Sequence, residues 1–211
     1  MNPVILITGA SRGIGAATAR LAAKQGYAVC VNYVRNADAA NAVVAEIEND
    51  GGRAIAVQAD IAVEADVLRL YEAVDTRLGT LTSLVNNAGI LETQMRVDEV
   101  TVERLNRIFT TNITGTFVCT REAVKRMSTK HGGTGGAIVN VSSAASRLGS
   151  AGEYVDYAAS KGAMDTLTIG LSVEVGAEGI RVNCVRPGFI YTDIHADGGE
   201  PGRVDRVKEF V

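Results

Sequence analysis

Long hydrophobic runs are missing from this chain: no apolar stretch reaches the roughly 18 residues that a membrane-spanning helix needs. The amino terminus, Met1-Asn2-Pro3-Val4-Ile5-Leu6-Ile7-Thr8-Gly9, has neither the basic start nor the extended apolar region of an export signal. Both absences point to the cytoplasm. Surplus basic charge is missing too, because 21 Lys and Arg face 24 Asp and Glu, for a net charge of −3. With its cations scattered, such a chain is a poor partner for nucleic acid or an anionic membrane. Cysteine is scarce. Cys30, Cys119 and Cys184 lie far apart in apolar stretches, which suits small buried residues in a reducing compartment and excludes a disulfide framework. His131 and His195 form no zinc-ligand spacing with them, so no metal site is expected. Aromatics make up only 5% of the residues and leave the identity of any substrate unmarked.

What is present is ample apolar content without low complexity. At 211 residues and 46% hydrophobic, residues 1–211 read as one domain able to bury a continuous core. Short β-branched runs occur at Val4–Ile7, Ala28–Val31, Ala54–Val57, Leu81–Val85, Ala137–Val141 and Ile180–Val185, separated by longer stretches of helical period. The first few are nearly continuous in apolar character, as strands covered on both faces are. The alternation predicts an α/β fold, a doubly wound parallel sheet of Rossmann type with right-handed crossovers and ligands bound at the strand carboxyl ends.

The first predicted strand runs into Thr8-Gly9-Ala10-Ser11-Arg12-Gly13-Ile14-Gly15 and then an alanine-rich helical run. Glycine at 9 permits a sharp turn, while Gly13 and Gly15 let backbone and a helix N-terminus approach a pyrophosphate. Further on, Tyr157 and Lys161 stand four residues apart at the start of a predicted helix, one above the other on a single face. A free phenol has a pKa of about 10, so bringing it near 7 takes roughly 4 kcal/mol of preference for phenolate. One ammonium at about 4 Å, at an effective dielectric near 20, supplies an interaction of that order. The spacing therefore allows an acid/base couple.

Taken in order, Gly9-x-x-x-Gly13-Ile14-Gly15, Asn86-Asn87-Ala88-Gly89, Ser142-Ser143, Tyr157-x-x-x-Lys161 and Pro187-Gly188 resemble the short-chain dehydrogenase/reductase family. The likeness runs to about Thr192, and within the family it is similar to the branch of 3-oxoacyl-carrier-protein reductases and sugar dehydrogenases. It implies a hydride-transferring oxidoreductase acting on a carbonyl or secondary alcohol, with Tyr157 as acid/base. Lys161 would hold the nicotinamide ribose and favour phenolate. Ser143 would polarise the carbonyl, although the separation from Tyr157 leaves Ser142 open, and Asn112 would hold a water that extends the proton relay. Cofactor contacts are implied for Gly9, Ser11, Arg12, Gly13, Ile14 and Gly15, for Asp60, for Asn86, Ala88 and Gly89, for Tyr157 and Lys161, and for Pro187, Gly188, Ile190 and Thr192. Asp60 serves equally well as a helix cap, and Asn86-Asn87-Ala88-Gly89 reads mainly as scaffold, its amides able to tie neighbouring strand ends together.

The adenosine end is decided by the second strand. An acidic partner for an NAD ribose belongs about 20 residues beyond the glycine turn, but the segment reads Val31-Asn32-Tyr33-Val34-Arg35-Asn36. Arg12 and Arg35 instead suit a 2′-phosphate, so NADP(H) is expected over NAD(H). A long helical pattern from Val102 to Met127 is interrupted at Thr110-Thr111-Asn112-Ile113-Thr114-Gly115, where a weakened helix can free backbone groups. The helix after Tyr157 is apolar on several faces and suggests a homodimer or homotetramer. Residues 193–211, polar and glycine-rich, read as a mobile region bordering the substrate. Compared with family members, a last helix and strand are absent from the pattern.

Two competitors remain. Gly9-Ala10-Ser11-Arg12-Gly13 also fits a serine-hydrolase nucleophile elbow with Asp193 and His195 as later partners, but it would fall on the first strand and leave Tyr157 and Lys161 without a role. A non-catalytic NADP(H)-binding protein would bind the cofactor without turnover.

Overall fold

The stretches rich in Val, Ile, Leu and Ala become strands because both their faces can be covered. The structure, a computed structural model describing residues 2–210, has β1 (Val4–Ile7), β2 (Ala28–Tyr33), β3 (Arg53–Gln58), β4 (Leu81–Asn86), β5 (Gly136–Val141) and β6 (Ile180–Val185). They form one parallel sheet in the order β3-β2-β1-β4-β5-β6. Side chains alternate between its faces: Val4 and Leu6 enter one buried cluster, Ile5 and Ile7 the other. The first cluster lies under α3 (Glu64–Arg77), α5 (Thr116–Met127) and α7 (Val155–Val175); the second lies under α1 (Gly13–Lys24) and α2 (Ala37–Asn49). Strand order reverses between β1 and β4, where such sheets open a crevice at their carboxyl ends.

Local chemistry sets the helix starts. Asn36 accepts from Ala39 N at 2.9 Å to begin α2, and Thr101 accepts from Arg104 N to begin α4 (Val102–Phe109). A short α6 (Ala145–Leu148) lies between β5 and α7, and the interruption at 110–115 is a π-helical turn joining α4 to α5. Gly115 packs it against the chain after β3, since a Cβ there would sit 2.6 Å from the Ile61 carbonyl oxygen. No helix among the described residues is long and apolar enough to cross a membrane.

Three features differ from the sequence reading. Cys30 and Cys119 are buried, with thiols pushed up to about 12 by desolvation, but Cys184 on β6 is only half-buried. The reason is that β6 is the sheet's edge among the described residues: Arg181, Asn183 and Val185 are exposed while Ile180 and Val182 are buried. Where composition predicts a mobile 193–211, the described part folds into α8 (Ile194–Asp197) and α9 (Arg203–Val207). Arg203 and Arg206 pair with Glu153, Arg206 also pairs with Glu200, and Arg12 pairs with Asp193 and Asp197. These charges, together with buried Val204, His195 and Arg203, hold the segment over the strand ends.

The third feature is an ion pair without a sequence signature. Arg104 on α4 and Asp156 on α7 have side chains only 4% and 3% exposed, with Nε to Oδ2 at 2.6 Å. Arg104 Nη1 also donates to the Thr93 carbonyl at 2.6 Å, and Asp156 Oδ1 accepts from Tyr157 N at 2.8 Å. Removing one member leaves the other charge buried and alone. Asp156→Asn and Arg104→Met are each expected to lower unfolding free energy by about 3–5 kcal/mol, read as an earlier urea midpoint at unchanged m-value.

Candidate functional site

The glycine turn is built by three polar side chains beneath it. Gly9 N donates to Asn32 Oδ1 at 3.1 Å and Ala10 N to the Asn32 carbonyl at 2.8 Å, while Asn32 Nδ2 reaches the Ala59 carbonyl at 2.9 Å. Asn87 Nδ2 donates to the carbonyls of Thr8 and Gly9, both at 2.9 Å. Thr8 Oγ1 accepts from Asn87 N and Ala88 N, both at 3.0 Å. Together they lash the ends of β1, β2, β3 and β4 into one rim. Gly9 has φ +61° and Gly13 φ +55°, conformations that other residues resist. Arg12 stands at the N-cap of α1 with no side-chain cap bond, so the first N–H groups of α1 face outward as an anion site does.

Above that rim opens a cleft of about 1170 Å³. It runs from Gly9, Ser11, Arg12, Gly13 and Ile14, past Arg35 and Asp60, along Ala88 and Gly89, to Ser143, Tyr157 and Lys161, and is closed by Pro187, Gly188, Ile190 and Thr192. The residues expected at each of these positions therefore share one cavity. Uncapped helix N–H groups, a tight glycine approach and adjacent guanidiniums fit an extended nucleotide at the near end. Asp60 lines the cleft and also accepts from Ala62 N at 2.9 Å; the N-cap of α3 is Val63, so Asp60 is not that helix's cap.

Three expected residues lie elsewhere. Gly15 is buried, and a Cβ on it would stand 2.6 Å from the Gly9 carbonyl oxygen; its role is to bring α1 onto the turn rather than to admit a ligand. Asn86 is 1% exposed and donates to Thr120 Oγ1 and Asn140 Oδ1, joining β4 to α5 and β5 beneath the cleft. Its neighbour Asn87 faces the cleft instead. Asn112 is fully buried on the π-helical turn, and its amide is spent on Ile90 N and O at 2.8 and 3.0 Å and on Ser160 Oγ at 3.1 Å. That side chain clamps the loop after β4 to α7. It remains next to the chemistry, since a Cβ at Gly89 would be 3.4 Å from both Asn112 Oδ1 and Lys161 Nζ.

At the far end, β5 and α7 meet. Lys161 is 3% exposed and its Nζ donates to the Val141 carbonyl at 2.7 Å, 5.6 Å from the centre of the Tyr157 ring. Burial pushes the Lys161 amine down to about 8, against the pull of Asp165. Burial likewise raises the Tyr157 phenol, while the Ser143 hydroxyl and the Arg203 charge draw it down. The Lys161 amine is committed to the Val141 carbonyl and, at about 8, is still mostly protonated at neutral pH. Ser142 is buried and its hydroxyl donates to the Lys161 carbonyl at 3.2 Å, whereas the half-buried Ser143 stands beside the phenol.

The elbow reading of Ser11 finds no support in this geometry. His195 Nε2 lies 3.0 Å from the Ile190 carbonyl and, among the described residues, Ser11 has no hydrogen bond to it. The same residues hold no cluster of His, Cys, Asp or Glu suited to a metal ion. Sequence reasoning missed Asn32, Asp156 and Arg203, of which only the acid-free stretch around Asn32 carried a signal; Asn87 ties β4 to the end of β1, the scaffold role its motif suggested.

Comparison with known proteins agrees with this geometry. The family profile described as short chain dehydrogenase matches residues 3–201. An uncharacterized oxidoreductase of Escherichia coli, YgfF, is 64% identical over 208 residues, covering 99% of this chain and 84% of its own. A 3-oxoacyl-[acyl-carrier-protein] reductase of a Synechocystis species is 40% identical, covering 90% of this chain and 75% of its own. A short chain dehydrogenase from Burkholderia cenocepacia, solved in complex with NADP, superposes with a TM-score of 0.85 at 36% identity, over 95% of this chain and 77% of its own. The chain belongs to the short-chain dehydrogenase/reductase family, whose members are nicotinamide-dependent oxidoreductases.

Proposed function

We propose that this protein is an NADP(H)-dependent cytoplasmic reductase that interconverts a carbonyl and a secondary alcohol. The observation that carries the reading is the single cleft joining the glycine turn to Tyr157, Ser143 and Lys161. The nicotinamide, when bound, supplies the hydride. Tyr157 gives its proton to the carbonyl oxygen in reduction and takes the hydroxyl proton in the reverse direction. A phenol raised by burial is protonated at neutral pH, as a proton donor must be. Ser143 holds the same oxygen by a hydrogen bond that strengthens as charge develops. Lys161, anchored on β5, presents its remaining N–H groups to the ribose end. In this reading a nucleotide 2′-phosphate competes for Arg12 with Asp193 and Asp197 and is met by the exposed Arg35. A homo-oligomer is part of the proposal, because Phe117, Ile169 and Val173 are 49%, 65% and 81% exposed on α5 and α7.

Three outcomes test it. Tyr157→Phe loses most of the turnover of an aldehyde or ketone substrate while NADPH still binds, followed by nicotinamide fluorescence; loss of both marks a structural tyrosine. Combined Arg12→Ala and Arg35→Ala lowers kcat/KM with NADPH by about tenfold or more, roughly what one charge-assisted hydrogen bond is worth, and leaves NADH little changed. The third concerns Lys161, whose amine falls from 10.5 unfolded to about 8 folded. The unfolded chain therefore binds the extra proton between these values, and stability rises with pH across that window. Lys161→Met abolishes turnover yet stabilises the cofactor-free protein at pH 7 by up to about 3 kcal/mol. That gain shrinks as the pH is taken from 8 toward 10.5 in urea unfolding.

A further inference from the structure

Asp165 lies on α7 one turn beyond Lys161, and its side chain is only 10% exposed. It stands behind the cleft rather than in its lining. One of its oxygens, Oδ2, accepts from Ser146 Oγ and from Arg186 Nε, both at 2.8 Å, and Oδ1 lies 3.7 Å from the weak donor Cys184 Sγ. Burial would raise this carboxyl, but Arg186 and the hydroxyls of Ser142 and Ser146 outweigh burial and hold it below the ordinary carboxylate range. It is therefore ionised.

Its partners sit on the two segments that close the reactive end of the cleft. Ser146 is on α6, in the turn after β5, and shares its one hydroxyl hydrogen between the Asp165 carboxylate and the Ser143 carbonyl, also 2.8 Å away. The Ser146 N–H donates to the same carbonyl at 3.1 Å. Arg186 follows β6 and leads directly into Pro187 and Gly188. The two segments also meet each other, since Ala144 N donates to the Pro187 carbonyl at 2.9 Å.

A buried carboxylate is a costly way to pack a helix on a sheet, because apolar side chains of similar volume desolvate no charge. What it adds is direction. Hydrogen bonds to an ionised acceptor are roughly twice as strong as neutral ones, and here two of them converge on one oxygen. Ser143 and Tyr157 must meet the same substrate oxygen, where a misplacement of about 1 Å can cost on the order of 100-fold in rate.

Resting on the oxidoreductase reading above, we propose that Asp165 is a positioning residue that fixes Ser143 against Tyr157 through Ser146, and fixes the 187–192 loop over the nicotinamide end through Arg186. It touches no reacting atom. The Ser146 arm governs turnover, and the Arg186 arm governs how tightly the cofactor is held.

The test follows NADPH affinity by nicotinamide fluorescence and the reduction of 4-nitrobenzaldehyde and ethyl acetoacetate, with kcat expressed per NADPH-binding site so that unfolded protein does not count. Ser146→Ala is expected to lower kcat about 10-fold, the worth of one hydrogen bond to a charged group, at unchanged NADPH Kd. Ser146→Thr, which keeps the hydroxyl, restores kcat. Arg186→Met is expected to raise the NADPH Kd about 10-fold by the same measure, with kcat at saturating NADPH near wild type. Arg186→Lys, which keeps the cation, recovers most of that affinity. Asp165→Ala shows both losses, and adding Ser146→Ala to it costs no further turnover.

Asp165→Ala with wild-type kcat per site and wild-type Kd, and only an earlier urea midpoint, would make Asp165 a packing residue and overturn the proposal. So would a Ser146→Ala or Arg186→Met protein that matches wild type or that loses turnover and affinity alike. If Asp165→Ala does not fold, these two partner variants decide, because Ser146 is half-buried and Arg186 exposed. Each of these failures leaves the oxidoreductase intact. A wild-type protein that binds no NADPH, or binds it and reduces neither carbonyl, would overturn the oxidoreductase reading and this proposal with it.

Discussion

The start of α7 depends on one buried carboxylate. Asp156 takes Arg104 on one side and the Tyr157 N–H on the other, and Arg104 continues to the Thr93 carbonyl. Two charges removed from water hold together only when their remaining donors and acceptors are met, and here those partners come from α4, the loop after β4 and α7. Satisfying them fixes where α7 begins and how it is rotated. Tyr157, Ser160 and Lys161 follow at helical spacing, so the phenol faces the cleft, Ser160 meets Asn112, and the amine reaches Val141 on β5.

The opposite end of the cleft is held by neutral amides rather than charge. Asn32 and Asn87 bind the backbone of the glycine turn, Thr8 binds the backbone after β4, and Asn86 and Asn140 join β4 to β5 below. Neutral partners suit a rim that must receive a polyanion, because a carboxylate there would repel it. Asn32 also carries bonds to the Val57 and Ala59 carbonyls, so it has no spare amide N–H for a ribose. Rigid amides at one end and a rigid helix at the other give the cleft fixed floor and walls.

Its roof is of a different kind. Residues 193–210 reach the body through Arg12, Glu153 and Gln94, mostly by half-exposed ionic contacts. Exposed pairs of this sort contribute little each, yet they converge on Arg203, which is buried between two aromatic rings. The roof thereby joins the glycine turn to the neighbourhood of Tyr157. Arg12, on the glycine turn, pairs with Asp193 and Asp197, which ties the phosphate side of the cleft to its cover.

Much of this was legible in the order of residues. Apolar runs alternating with helical period dictate a parallel sheet, since each strand needs cover on both faces, and the six predicted strands agree with the structure to within two residues at either end. The glycine turn and the Tyr157-to-Lys161 spacing were readable because backbone conformation and helical geometry act over a few residues. Partners distant in the chain were not. The contacts of Asn112 with Ile90 and Ser160, the close approach of α1 to the turn at Gly15, the carbonyl that takes the Lys161 amine and the ion pairs that hold residues after 193 over the cleft carried no local sign. Burial and long-range pairing decided these points: whether a polar group faces water, a ligand or a carbonyl depends on which distant segment packs against it, and local sequence carries no record of that neighbour.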